Sequence, residues 1–385
     1  MCESNADVET GCITVPVRTQ DYFTGADACE LLQETVPEAN LFYRIQGENH
    51  PGRPTIVFVH GFAESGDVWL CAQNELSACY RTVAIDLRGN GRSTKTPAFP
   101  EENGIHYTVA LSAVDVHEVL QQLGITENIV MVGHSIGGTY AMRYALLYPD
   151  ELSRLIVTGT FPVFHVPDCA VEPDCDTNCF NPFTCENGFC DPFGTTQSTV
   201  AIVTGPLVDC LNGGGTEQEC LGVWGEFIAP IWYSDLCQDE LEDAQANLVD
   251  AIQAMTVPII SSIFQFAATE DMSAELPNIT VPTLITFGSA DIVVNPGNSQ
   301  VIHEAIANSV LVDFVGRSHQ MHVTSYKKFD DLINRFINSC EFPESSVVFD
   351  QGCCVCPLIQ PIDYAEDACE LPTPPAAAVH KHWRR

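Results

Sequence analysis

Basic side chains are scarce in this chain: 16 Lys and Arg stand against 51 Asp and Glu in 385 residues, a formal net charge of −35 at pH 7. Binding a nucleic-acid backbone needs clustered Lys and Arg, so this balance argues against a nucleic-acid partner. Between residues 161 and 275 the scarcity becomes an absence, with 19 acidic residues and no Lys or Arg. Long apolar runs are missing as well; none approaches the roughly 18–20 residues of a membrane-spanning helix. The start, Met1-Cys2-Glu3, has neither the charged nor the apolar region of a secretory signal peptide. Hydrophobic residues nevertheless make up 45%, an ordinary globular fraction. The length allows one large domain with an insertion, or two domains.

Cysteine, by contrast, is abundant. The 18 thiols fall at 2, 12, 29, 71, 79, 169, 175, 179, 185, 190, 210, 220, 237, 340, 353, 354, 356 and 369. Reducing compartments rarely tolerate so many outside metal sites, whose ligands are tightly spaced. Only Cys353-Cys354-Val355-Cys356 has that look, and no histidine lies near it in sequence. An even total reads as disulfides formed in an oxidising compartment. The expectation is a secreted or otherwise extracytoplasmic mature chain without its signal peptide, its initiator Met a replacement. In the alternative, Cys2 carries a lipid anchor and leaves an odd number to pair. Pairing is expected within groups: Cys71 with Cys79, the eight cysteines of 161–275 among themselves, and the C-terminal five with the N-terminal three.

The hydrophobic pattern alternates between two periods. Leu41–Ile45, Thr55–Val59, Thr82–Ile85, Ile129–Val132, Leu155–Thr158, Val281–Phe287 and Val310–Val315 are short β-rich runs bounded by turn residues. Residues 108–123 place apolar side chains at 111, 114, 116, 119, 120 and 123, a helical spacing. Further helices are predicted over 136–147, ended by Pro149, and over 326–338. Strands alternating with helices predict an α/β fold with a mostly parallel sheet covered on both faces. The pattern breaks at Phe161 and resumes near Val281. This divides the chain into an N-terminal Cys-containing extension (1–40), a first core part (41–160), an acidic Cys-rich insertion (161–275), a second core part (276–340) and a Cys-rich C-terminal extension (341–385).

Gly133-His134-Ser135-Ile136-Gly137-Gly138 lies between a predicted strand and a predicted helix. In that context a Gly-x-Ser-x-Gly turn lifts a serine hydroxyl clear of the sheet, which makes Ser135 the candidate nucleophile. A serine needs a base, and the base an orienting carboxylate, each at the C-terminal end of a strand and in the order Ser, Asp, His. Asp291 follows the strand at 283–287 and His319 the strand at 310–315. His322 competes with His319. The strand at 155–158 ends Thr158-Gly159-Thr160, without an acid.

With His60-Gly61-Phe62, Asp86-Leu87-Arg88-Gly89-Asn90-Gly91-Arg92-Ser93, the serine turn, Pro282 through Asp291 and Gly316 through His319 in place, the chain resembles a capped α/β-hydrolase across residues 41–338. The resemblance implies an α/β-hydrolase fold with a cap domain inserted at 161–275. It also implies an oxyanion hole from the backbone N–H groups of Phe62 and Ile136. His60 and His134 would shape loops, and Asp86 with Arg88 or Arg92 would brace one. Relatives with an aspartate nucleophile act on epoxides or carbon–halogen bonds; serine at 135 turns the reading to acyl transfer. Peptide-specialised relatives often carry Gly-Gly-Ser-Trp-Gly where this chain has Gly-His-Ser-Ile-Gly.

The resulting expectation is a secreted carboxylic-ester hydrolase using Ser135, His319 and Asp291, with no metal or cofactor. Acyltransfer and amide, lactone or carbon–carbon bond hydrolysis use the same three groups, and a non-catalytic binding protein could keep the scaffold. Phe161, Trp224, Phe227 and Trp232 are candidates for a pocket wall, though they serve equally as the insertion's own core. An acidic lid repels anions, so the small-molecule substrate is expected to be neutral or cationic where it faces the insertion. Asp174-Cys175-Asp176-Thr177-Asn178 resembles the start of a calcium loop. Cys179 and Cys185, however, occupy the places of its Gly and Glu, so calcium is not expected. Asn278-Ile279-Thr280 is a glycosylation sequon.

Overall fold

A computed structural model describes residues 8–23, 31–162, 197–234, 241–267, 270–338, 346–348, 356, 358, 359 and 364. In chain order the strands and helices are β1 (Val8–Val15), β2 (Arg18–Phe23), β3 (Leu31–Val36), β4 (Ala39–Gln46), β5 (Thr55–Val59), α1 (Leu70–Leu76), β6 (Arg81–Ile85), α2 (Val109–Gln122), β7 (Ile129–His134), α3 (Ile136–Leu147) and β8 (Leu152–Thr158). Then come α4 (Gln197–Asn212), α5 (Glu217–Trp232), α6 (Glu242–Gln253), α7 (Val257–Ser262), β9 (Thr283–Gly288), α8 (Gly297–Ala305), β10 (Ser309–Phe314), α9 (Met321–Thr324), α10 (Tyr326–Asn338) and β11 (Ser346–Val348).

Nine strands form one sheet in the order β1-β4-β6-β5-β7-β8-β9-β10-β11. The pairs β1–β4 and β4–β6 are antiparallel and all others parallel. Every side chain of β5 and β7 is buried, the signature of central strands covered on both faces. The shift from period 2 to helical spacing marks real boundaries. Thr108 caps α2 by accepting the Leu111 N–H at 3.0 Å, and Pro149 closes the turn after α3. On α10 one face buries Phe329, Leu332, Ile333 and Phe336, each contributing about 1.5–3 kcal/mol.

The N-terminal region holds more structure than its weak pattern suggests. Val8–Val15 is the edge strand β1, whose polar residues face solvent, and β2 pairs with β3 as a separate hairpin. Asp86 and the arginines brace loops, as the resemblance implies. Arg92 reaches Asp67 at 2.8 Å and Asp86 at 3.3 Å, Arg44 reaches Asp67 at 2.5 Å, and Arg88 reaches Asp115 at 2.8 Å. These pairs are buried, so removing one partner strands a charge at a cost of about 3–5 kcal/mol.

The expected disulfide grouping needs correction. Cys71 is bonded to Cys356, 285 residues away, and not to Cys79. Cys71 sits in the first turn of α1 and Cys79 lies beyond its end, roughly 10 Å along the helix direction, farther than a disulfide spans. Cys356 instead lies buried against the core, where its N–H donates to the Val323 carbonyl at 3.2 Å. Cys12 and Cys79 are each in a disulfide as well, with partners outside the described residues. Cys210 pairs with Cys220 across the Gly213–Gly215 turn between α4 and α5, within the 161–275 group as expected. A capping box starts α5: Thr216 Oγ1 accepts the Glu219 N–H and the Glu219 carboxylate accepts the Thr216 N–H. The five-cysteine loop and its calcium-like segment lie outside the described residues.

Candidate active site

Ser135 joins β7 to α3 at φ 53° and ψ −129°, a left-handed backbone that a non-glycine residue adopts only when its surroundings impose it. Three bonds do so. Its N–H donates to the Thr158 carbonyl at 2.9 Å, and its own carbonyl accepts the Gly138 N–H at 2.9 Å and the Thr160 hydroxyl at 2.6 Å. The flanking glycines are steric requirements. A Cβ at Gly133 would lie 2.3 Å from the Gly137 carbonyl oxygen, and one at Gly137 would lie 2.3 Å from that of His60.

Strands β7, β8, β9 and β10 are neighbouring and parallel, so their C-terminal ends share one edge of the sheet. That edge gathers the predicted residues. Asp291 Oδ1 accepts the Val293 and Val294 N–H groups at 2.8 and 2.9 Å, leaving Oδ2 for His319 Nδ1 at 2.8 Å. A carboxylate only accepts, so Nδ1 carries the proton and Nε2 presents its lone pair. Gly159, at φ 51°, brings backbone against this pair: a Cβ there would stand 3.5 Å from both Asp291 Oδ2 and His319 Nδ1. Residues 158–160 therefore form the seam between Ser135 and the Asp291–His319 pair.

His322 is the competitor of His319 in sequence. Its ring is buried 4.5 Å from Trp69 and 4.2 Å from His134, and among the described residues neither of its nitrogens has a hydrogen-bond partner. Burial, reinforced by the neighbouring His134 and His319, pushes its titration well below the ordinary histidine range. It packs as a neutral aromatic and has no orienting acid.

The loop of Phe62 closes over the serine turn. A Cβ at Gly61 would fall 3.1 Å from Ser135 Cβ, so the adjoining Phe62 backbone borders the serine; Ile136, the first residue of α3, follows it directly. The pocket candidates divide. Trp232 sets its edge against the His319 ring at 5.9 Å and against Phe62 at 6.3 Å. Trp224 is wholly buried and packs edge-on to Phe62 at 6.2 Å. Phe161 is buried where the chain leaves β8, its carbonyl accepting the Thr139 hydroxyl at 2.8 Å. Phe227 is half-buried against the core. Phe264 was not picked out from sequence, yet its ring is 4.6 Å from Phe62. It lies on a π-helical turn, Ile263–Ala267, and such turns cluster at functional sites.

Glu64 is the second residue that sequence reading missed. It is 1% exposed, yet its carboxylate accepts the Gly61 N–H at 2.7 Å, faces His134 Nδ1 at 3.3 Å and accepts from the Gln320 amide. Burial pushes its carboxyl up, but His134, His322 and the Gln320 bond outweigh that and hold it well below the usual carboxylate range. His134 Nε2 in turn meets the His319 carbonyl at 3.1 Å. One buried anion thus ties together the Phe62 loop, the serine turn and the His319 loop. The available signal was an acid inside the otherwise uncharged run His60-Gly61-Phe62-Ala63-Glu64-Ser65. Among the described residues no group of three or more His, Cys, Asp or Glu could hold a metal ion.

Residues 54–176 match the family model of the alpha/beta hydrolase fold. The chain has the α/β-hydrolase fold. Among similar proteins, a candidate carbamate hydrolase of Cronobacter turicensis is 25% identical over 296 residues, covering 75% of this chain and 93% of the relative. The cis-3-alkyl-4-alkyloxetan-2-one decarboxylase of Shewanella oneidensis is 26% identical over 258 residues, 66% of this chain and 71% of the relative. The esterase of Exiguobacterium antarcticum matches in structure with a TM-score of 0.58 at 27% identity, covering 78% of this α/β hydrolase and 96% of the esterase. The enol-lactonase of Burkholderia xenovorans gives 0.60 at 20% identity, covering 78% and 97%, a likeness of fold. The chain is a hydrolase of the α/β class.

Proposed function

We propose that this α/β hydrolase is a serine hydrolase cleaving a carboxylic ester or a related acyl bond. The observation that carries the reading is the 2.8 Å Asp291–His319 pair at the same sheet edge as Ser135, itself held in a left-handed turn. His319 Nε2 takes the proton of the Ser135 hydroxyl as its oxygen attacks the carbonyl carbon. The Phe62 and Ile136 N–H groups receive the charge developing on the carbonyl oxygen. The tetrahedral intermediate collapses, His319 returns the proton to the leaving alcohol, and Ser135 is left acylated. Water then repeats the sequence, releasing the acid and restoring the serine. Asp291 holds the imidazole in its Nδ1–H form throughout and offsets the charge of the imidazolium.

The aromatic group of Phe62, Trp232 and Phe264 beside His319 supports an apolar wall for the acyl or alcohol part. The helices α4–α7 act as a lid over it. The lack of Lys and Arg across 161–275 supports a substrate that is neutral or cationic where it faces those helices. The names of similar proteins, a carbamate hydrolase and an esterase, point to the same acyl chemistry. Disulfides at Cys71–Cys356 and Cys210–Cys220 support an oxidising, extracytoplasmic setting.

The test is labelling with a fluorophosphonate probe, located by peptide mass spectrometry, beside Ser135→Ala. Labelling at Ser135 that vanishes in the variant is expected, followed by turnover of short p-nitrophenyl esters. A folded, oxidised protein that neither labels nor hydrolyses such esters would overturn the reading. A preference for an anionic acyl ester over its neutral isostere would overturn the substrate-charge part alone.

A further inference from the structure

The segment that follows Phe62 is held from the far end of the chain. Tyr364, 4% exposed, places its hydroxyl 2.8 Å from Ser65 Oγ and 3.5 Å from Asp67 Oδ2. Its ring lies 5.2 Å from the Arg92 guanidinium. Cys356 is bonded to Cys71 at the start of α1, and its N–H donates to the Val323 carbonyl in α9 at 3.2 Å. Ile359, between them, is fully buried. Cys356 and Tyr364 thus hold the loop after β5 and the loop after β10, which come to the site from opposite sides of the serine turn.

Its anchor points matter to the site. Ser65 caps the turn Gly66–Trp69 by accepting the Asp67 N–H at 3.2 Å. The residue before it, Glu64, fixes the Gly61 N–H, and Phe62 lies between those two. Val323 stands four residues after His319. An oxyanion donor must be placed to a fraction of an ångström to act, and a loop holds such a position only when its supports are themselves locked. Charge pairing fixes Asp67 through Arg44 and Arg92, and Tyr364 joins the same cluster through Asp67 and Arg92.

We propose that Cys356, Ile359 and Tyr364 act as a strap that sets the Phe62 loop against the His319 loop, with Tyr364 a positioning residue for the acyl-transfer chemistry inferred above, on which its kinetic consequence rests. Tyr364→Phe removes one hydroxyl and leaves the ring on Arg92. It is expected to lower kcat about 3–10-fold, the effect of losing one buried hydrogen bond that acts in the transition state, with KM changed less than twofold. Hydrogen exchange of peptides spanning 61–69 should quicken while peptides spanning 129–134 keep their protection. Cys71→Ala with Cys356→Ala should quicken both 61–69 and 319–325. Ser65→Ala removes the same hydroxyl contact from the other side, so its loss in kcat and that of Tyr364→Phe should not add in the double variant.

An unchanged kcat in Tyr364→Phe, additive losses, or exchange that quickens equally across the sheet would each overturn the strap. Should the wild-type protein leave Ser135 unlabelled, the acyl-transfer reading falls. The exchange experiment then still decides whether the strap holds the two loops, because it does not depend on activity.

Discussion

Glu64→Gln keeps volume nearly constant and changes only charge and hydrogen-bond polarity. The native carboxylate accepts on both oxygens: from Gly61 at 2.7 Å and towards His134 at 3.3 Å on Oε2, and from Gln320 on Oε1. A glutamine offers one accepting oxygen and one donating amide. Either orientation therefore sets a donor against a donor, with Gly61 and His134 on one side or Gln320 on the other. Removing the anion from a buried, partnered cluster costs about 3–5 kcal/mol, and we expect a loss of that size in guanidinium denaturation at pH 7. The pH dependence identifies the cause. The folded carboxyl titrates below its unfolded value because its partners outweigh burial, so its stabilisation is complete above the unfolded value of about 4.3 and is lost as pH falls towards the folded one. The gap between wild type and variant should be level from about pH 6 to 8 and narrow below about pH 4.5. A gap smaller than about 1 kcal/mol, or one that persists unchanged in acid, would refute the reasoning.

Asp291→Asn should leave the fold intact but release the imidazole from its Nδ1–H form; kcat should fall by roughly 10³-fold or more, read on whichever short ester the wild type turns over. Gly137→Ala puts a Cβ 2.3 Å from the His60 carbonyl oxygen and 2.6 Å from that of Val59; backbone cannot yield there, so we expect a loss above about 4 kcal/mol and no labelling of Ser135. Asp330→Asn should stabilise by about 1–3 kcal/mol at neutral pH, because among the described residues neither carboxylate oxygen of this buried side chain has a hydrogen-bond partner. Burial, with Glu75 nearby, raises the Asp330 carboxyl well above the usual range, so its contribution is intact below the unfolded value of about 3.9 and lost as pH rises. The advantage of Asn should accordingly vanish below about pH 4, measured by thermal melts across pH.

What could be read in the sequence is what local chemistry decides. A strand of unbroken apolar residues, a Gly-x-Ser-x-Gly turn and a helix after it need no distant partner to be recognised, and Thr55–Val59 and Ile136–Leu147 fall where the pattern puts them. Asp291 and His319 were legible for a related reason: parallel strands deliver their C-terminal ends to one edge, so the order of strands places the residues that follow them. The choice of His319 over His322 rests in sequence on its place directly after the strand at 310–315; in the structure the His319 ring meets the Asp291 carboxylate and the His322 ring is wedged between Trp69 and His134.

The residues that were missed share a different property: their partners are remote. Glu64 bonds to Gln320, 256 positions on, Tyr364 to Ser65 across 299, and Cys71 to Cys356 across 285. None leaves a periodicity or a spacing, since a buried carboxylate or phenol is made useful by what closes around it. Their common destination is informative. All three converge on residues 61–71, the stretch that follows β5, which has no regular element to fix it until Gly66. A strand end can be positioned by its sheet, but a donor loop beyond a strand must be positioned by whatever packs on it. In this chain the loop meets one buried anion from within, Glu64, and Tyr364 and Cys356 from outside. Substitution at Tyr364 should therefore disturb turnover more than it disturbs the sheet, whereas Glu64→Gln should weaken the whole fold.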